Sequence, residues 1–110
     1  MTWSVRFLPE AEEEYQKLDG SVRRQAAKAI LKVRQNPLPA SEGGYGKPLG
    51  SRSGTDLTGL LKIKLKAAGL RIVYKLIQTD TEMIIVVVGA RADDAVYRTA
   101  ETRMKKYDLL

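Results

Sequence analysis

The sequence predicts an α+β fold, on three observations. Apolar residues alternate with cations from Leu60 to Lys75, pause at Ala67-Ala68-Gly69 and alternate again, as two half-buried strands of a hairpin do. Ahead of it, Val22, Ala26, Ala29, Ile30 and Val33 recur at helical spacing. Behind it, Met83 to Val88 is apolar without alternation, which marks a strand buried on both faces. The predicted order is strand, helix, helix, strand, strand, strand, helix. A helical hairpin on one face of a mainly antiparallel four-stranded sheet buries these surfaces. The 110 residues suit one domain spanning 1–110, without internal repeat or boundary.

Trp3, Val5 and Phe7 alternate with Thr2, Ser4 and Arg6 in a first strand that Leu8-Pro9 ends. Pro9 suits the first position of a helix, and Glu10, Glu12, Glu13 and Glu14 complement its dipole. Ala11, Tyr15 and Leu18 form its apolar stripe, Asp19-Gly20 stops it, and the acidic cluster reads as a solvated face. Ser21 is a good N-cap for the second helix, which runs to about Gln35. Its cations Arg23, Arg24, Lys28, Lys32 and Arg34 also read as a solvated face. Asn36 to Gly59 holds six of the nine glycines and three of the four prolines, so it reads as a long loop. Beyond the hairpin, Gln78 to Glu82 turns into the apolar strand, and Gly89 marks a bulge or sharp exit. Asp93-Asp94 caps a last helix from Ala95 to about Lys106, with Val96, Ala100 and Met104 on one side.

Patterning also fixes the hairpin register. The two apolar faces coincide only if Leu65 pairs with Leu70 and Ile63 with Ile72. Lys64 then faces Arg71, with Lys62, Lys66 and Lys75 on the same side. Five cations and no acid occupy Lys62 to Lys75, and like charges opposed across a sheet are destabilising. Such a face suits an anionic partner.

Composition narrows the chemistry. Nineteen Lys plus Arg against thirteen Asp plus Glu give a net charge of +6, which favours nucleic acid or an acidic protein. Without cysteine there are no disulfides and no thiol chemistry, in keeping with a reducing cytoplasm. Without histidine, catalysis falls to Lys, Arg, Tyr or carboxylates, and no cofactor or metal is expected. Arg6 and the acidic run interrupt any signal-peptide core, and the longest apolar run is too short to span a bilayer.

These residues resemble a known family. Leu-Lys-Ile-Lys-Leu followed by Gly-Leu-Arg-Ile-Val-Tyr, the apolar strand, and Gly89-Ala90-Arg91 followed by Val96-Tyr97 are similar to the RelE branch of the RelE/ParE toxin superfamily. The similarity covers nearly the whole chain. It implies the toxin of a type II toxin–antitoxin pair that cuts messenger RNA in the ribosomal A site and is blocked by an acidic, RelB-like antitoxin. The family's cleavage residues fall on Lys62, Lys64, Arg71, Arg91 and Tyr97. Lys47, Arg52, Lys66 and Lys75 are further candidates for contact with RNA. The glycine-rich segment before the hairpin is longer than the family's, and Ala90 stands where relatives often carry a basic residue.

Metal-free cleavage of RNA requires activating a 2′-hydroxyl, stabilising a phosphorane and protonating the 5′-oxygen. Guanidinium groups bind phosphate bidentately and keep their charge, which suits Arg71 and Arg91 to the second task. Lysine changes protonation state more readily among other cations, which suits Lys62 or Lys64 to the 2′-hydroxyl proton. Tyr97 is suited to stacking on a base or orienting the nucleotide. Two other readings share the fold: a ParE-type inhibitor of DNA gyrase, and an inactive toxin-like module acting with an antitoxin as a hetero-oligomer on operator DNA.

Overall fold

The computed structural model describes residues 2–52, 55–90 and 95–109, and backbone alone for 50–52 and 55–58. The elements are β1 (Ser4–Phe7), α1 (Pro9–Gln16), α2 (Gly20–Val33), β2 (Lys47–Arg52), β3 (Thr55–Leu65), β4 (Leu70–Ile77), β5 (Glu82–Ala90) and α3 (Ala95–Lys106). They form the expected α+β fold around one sheet ordered β1-β5-β4-β3-β2. β1 runs parallel to β5 and the other pairs are antiparallel. Apolar β5 lies inside the sheet, with Met83 to Val88 all buried.

The sheet has five strands where sequence patterning gives four. The extra one, β2, lies in the stretch read as loop, which also holds a 3-10 turn at Ala40–Glu42. Its composition hid it, because an edge strand tolerates Pro48 and Gly50, and the register slips between those two residues. Gly89 does not end β5, which continues to Ala90; the β4–β5 register shift falls instead between Val73 and Tyr74. The two first helices also meet earlier than expected. α1 ends at Gln16, and α2 begins at Gly20 with Asp19, not Ser21, at its N-cap position. Arg23 reaches back to the carbonyls of Gln16 and Leu18, closing the end of α1.

α1 and α2 cover one face of the sheet, and α3 covers the other. On the first face, Leu70 and Val88 border the same cavity as Leu18 and Val22. On the second, Arg71 meets Tyr97 of α3, and Gly89, opposite Arg71, lies under Val96. A Cβ on Gly89 would stand 2.8 Å from Val96 Cγ2, so this glycine lets α3 approach the sheet. Val96, Tyr97, Ala100 and Met104 form the buried stripe of α3.

Polar contacts fix where α3 lies. β1 stops at Phe7, opposite Ile85, and leaves the rest of that β5 edge without a strand among the described residues. Glu14 takes over there, accepting from Val88 N at 3.1 Å. Arg103 of α3 donates to Val86 O at 2.9 Å and grips both oxygens of Glu14 at 2.8 Å. One turn back along α1, Glu10 accepts from Lys106 Nζ at 2.8 Å and from the Tyr107 hydroxyl at 2.6 Å. The acidic face of α1 is therefore only partly a solvated one. Glu10 and Glu14 dock the last helix, while Glu13 pairs with Lys17 at the surface.

The Lys106 ammonium, then the Tyr107 hydroxyl, hold the Glu10 carboxyl at about 2, against an ordinary 4.5. A depressed carboxylate stabilises the fold above its unfolded value and loses that contribution on protonation. The Glu10→Gln variant should melt below the parent near about pH 7. The gap should close as pH falls from 4.5 towards about 2. Thermal unfolding followed by circular dichroism across this range checks it, and equal melting temperatures at neutral pH would contradict it.

Candidate functional site

The hairpin register is the expected one: Lys64 pairs with Arg71, Ile63 with Ile72 and Leu65 with Leu70. Lys62 pairs with Val73 on one side and Lys47 on the other, so Lys47, Lys62, Lys64 and Arg71 belong to one face. This is the face that α3 covers. Lys62 and Lys64 are half-buried there, and both have interaction partners.

Arg71 is the most enclosed of the described cations at 8% exposed. Its Nη1 donates to the Tyr97 hydroxyl at 2.5 Å, and its guanidinium carbon lies 5.1 Å from the Tyr97 ring centroid. Its Nε is buried without a hydrogen-bond partner among the described residues. Tyr97 is itself only 4% exposed. Arg71 and Tyr97 are thus in contact, with the ring lying against the guanidinium instead of standing open to a base. A buried guanidinium with a donor unspent is costly unless something anionic completes it.

The other expected cations are less concentrated. Lys66 is exposed in the hairpin turn, and Lys75 lies four residues along β4, roughly 13 Å from Arg71 at ordinary strand rise. Lys75 borders a different cavity, with Pro39, Glu42 and Gln78. Arg91 lies outside the described residues, as does the side chain of Arg52. Ala90 ends β5 and pairs with Leu70 beside the hairpin turn. Among the described residues, no three His, Cys, Asp or Glu side chains gather into a metal-binding group. None of the described helices is long and apolar enough to cross a membrane.

Sequence reasoning missed the groups that hold the site closed. Glu10 and Glu14 have the i, i+4 spacing of one helix face, and Arg103 and Lys106 have the i, i+3 spacing of another. That complementarity was visible; the contact across 89 residues was not.

Comparison with known proteins agrees with the fold. Residues 5–95 match the family described as the ParE toxin of the type II toxin–antitoxin system parDE. An Escherichia coli protein described as a RelE-like toxin is 34% identical over 96% of this chain and 100% of its own length. The mRNA interferase toxin RelE of Escherichia coli K12 is 29% identical over 94% of this chain and 99% of its own. The structure of a substituted Escherichia coli RelE in the free state superposes with a TM-score of 0.74. That pair is 27% identical, with 94% of this chain and 99% of the other covered.

Removing the Tyr97 hydroxyl leaves Arg71 Nη1 buried without its acceptor. The Tyr97→Phe variant should lose ~1–3 kcal/mol of stability in urea unfolding. The same change made in an Arg71→Met background should cost less, because no buried donor is then stranded. Equal losses in the two backgrounds would show that the contact carries no coupling.

Proposed function

Because this chain belongs to the RelE/ParE superfamily of type II toxin–antitoxin toxins, we propose that it is a ribosome-dependent endoribonuclease that cuts messenger RNA in the A site and stops translation. The observation that carries this reading is the register pair Lys64–Arg71 with Lys62 beside it, on a face with no acid in its strands from Lys62 to Lys75. Relatives matched along nearly their whole length carry the name mRNA interferase, which supports it. The toxin acts in the cytoplasm, where ribosomes are, and a cognate acidic antitoxin neutralises it by covering the cationic face.

Roles follow from side-chain chemistry. Lys62 or Lys64 takes the 2′-hydroxyl proton, and the other lysine stabilises the charge that develops. Arg71, joined by Arg91, holds the phosphorane oxygens, which develop negative charge in the transition state. Opening the contact with Tyr97 frees Nη1 and uncovers Nε of Arg71 for a phosphate. Tyr97, once released, is free to stack on the nucleotide that displaced it. The ribosome supplies the orientation of substrate that a site without histidine cannot impose alone.

One observation favours a second reading, inhibition of DNA gyrase: the family description names ParE. The lysine and arginine set argues for RNA cleavage. In a translation extract with a defined message, the parent should cut within A-site codons. Lys64→Ala and Arg91→Ala should each slow cutting by about 10²-fold or more, the scale of a lost proton-transfer group or charge clamp. Intact message at saturating protein would overturn the proposal, and inhibited supercoiling in a parallel gyrase assay would replace it.

A further inference from the structure

The loop between α2 and β2 carries an aromatic ring where solvent reaches it. Tyr45 is 49% exposed, one of two large apolar side chains left so among the described residues. Its backbone is firmly tied. Tyr45 N donates to Asn36 O at 2.9 Å, Gly46 N to Leu38 O at 3.0 Å, and Ala40 N to Gly46 O at 2.9 Å. The buried Tyr74 hydroxyl fastens the start of the loop through Pro37 O at 2.8 Å, and burial pushes its acidity down, so it remains a donor. Gly46 packs so closely here that a Cβ would stand 2.5 Å from that hydroxyl and 3.0 Å from Pro37 O. A ring held on such a loop loses little further freedom when a flat ligand settles on it.

The surroundings of the ring are cationic. Lys32 Nζ lies 5.2 Å from the Tyr45 ring centroid. Tyr45, Lys32 and Lys47 border a cavity of about 270 Å³ that extends to Lys62 and Lys64 on β3. Four of its lining residues are lysines and none is acidic. β2 pairs with β3 no further than Lys47 opposite Lys62, so the cavity opens beside the stretch of β3 that β2 leaves uncovered. It therefore connects the face bearing Lys64 and Arg71, around the sheet edge, with the side bearing Tyr45.

We infer that Tyr45, with Lys32 and Lys47, forms a stacking subsite for one unpaired RNA nucleotide beside the cleavage cluster. The inference rests on the endoribonuclease reading and adds a binding position to it. The ring offers a face to a base, and the lysines meet the phosphates on either side. An acidic peptide would match the charge as well; one exposed ring set among four lysines matches the alternation of base and phosphate in a nucleotide chain, which favours the nucleotide.

Two binding measurements test this with the parent, Tyr45→Ala, Tyr45→Trp and Lys32→Ala. One follows a labelled 2′-O-methyl RNA oligonucleotide, which cannot be cut, by fluorescence anisotropy; the other follows ribosomes with and without message by sedimentation. Tyr45→Ala should bind about 5- to 150-fold more weakly, the loss of one stacked base at ~1–3 kcal/mol. Tyr45→Trp should bind like the parent, and Lys32→Ala should flatten the salt dependence by roughly 0.7 in slope, one phosphate contact. Weakening on the oligonucleotide assigns the base to the message; weakening only on message-free ribosomes assigns it to ribosomal RNA. Unchanged binding in both arms overturns the subsite. Cleavage by the parent in a translation extract separates the two readings. If it cuts while Tyr45→Ala binds normally, the subsite alone falls; if it does not cut, the endoribonuclease reading falls.

Discussion

The guanidinium of Arg103 stands where three elements meet, and the geometry of the cationic face depends on it. It bridges the carboxylate of Glu14 on α1 and the carbonyl of Val86 on β5, both at hydrogen-bond distance. Edge backbone that a longer β1 would have paired is satisfied by side chains instead, as buried and half-buried polar groups require. Glu14 lies beside it and raises its proton affinity still further. Bidentate geometry lets arginine do this where lysine could not. The result is a helix laid across the sheet in one orientation, with Tyr97 over Arg71.

Magnitudes separate what binds α3 from what orients it. Each fully buried Val or Met contributes ~1.5–3 kcal/mol, and α3 buries Val96, Tyr97, Ala100 and Met104. The Arg103–Glu14 pair, with Glu14 32% exposed, contributes ~1 kcal/mol once screened. The apolar stripe therefore supplies most of the attraction, and the ion pairs select its position. An element attached by one stripe and a few partly exposed pairs is among the first to open locally. The sheet beneath it is not: β3, β4 and β5 are buried through Ile63, Val73 and Val87. Lys62, Lys64 and Arg71 thus sit on the rigid part of the molecule, and Tyr97 on the movable part.

How much was legible in the sequence follows from the range of each interaction. Alternation of Ile63, Leu65, Leu70 and Ile72 fixed which residues face which, because a one-residue slip would expose the whole set. The Lys64–Arg71 juxtaposition came with it. β2 was illegible because an edge strand needs neither alternation nor freedom from proline, and Pro48 with Gly50 reads as loop in any local window. The burial of Arg71 was illegible for a different reason. Cations at period 2 signal a solvated face unless some distant element covers it, and the cover here begins 24 residues later, at Ala95. Glu10 and Glu14 looked solvated by the same local logic.

The enclosed guanidinium and the crowded lysines have one physical consequence in common. Opposing Lys64 to Arg71 across a sheet is unfavourable in itself, and Tyr97 meets Arg71 with a hydroxyl and a π-face but no charge. A polyanion settling on that pair would relieve the opposition and gain in binding accordingly. On the function proposed above, the same gain is open to a phosphate chain and to an acidic partner, which would make the two competitors for one surface. Mutual exclusion of substrate and inhibitor then needs no separate regulatory site, because the charge that attracts the one is the charge that the other neutralises.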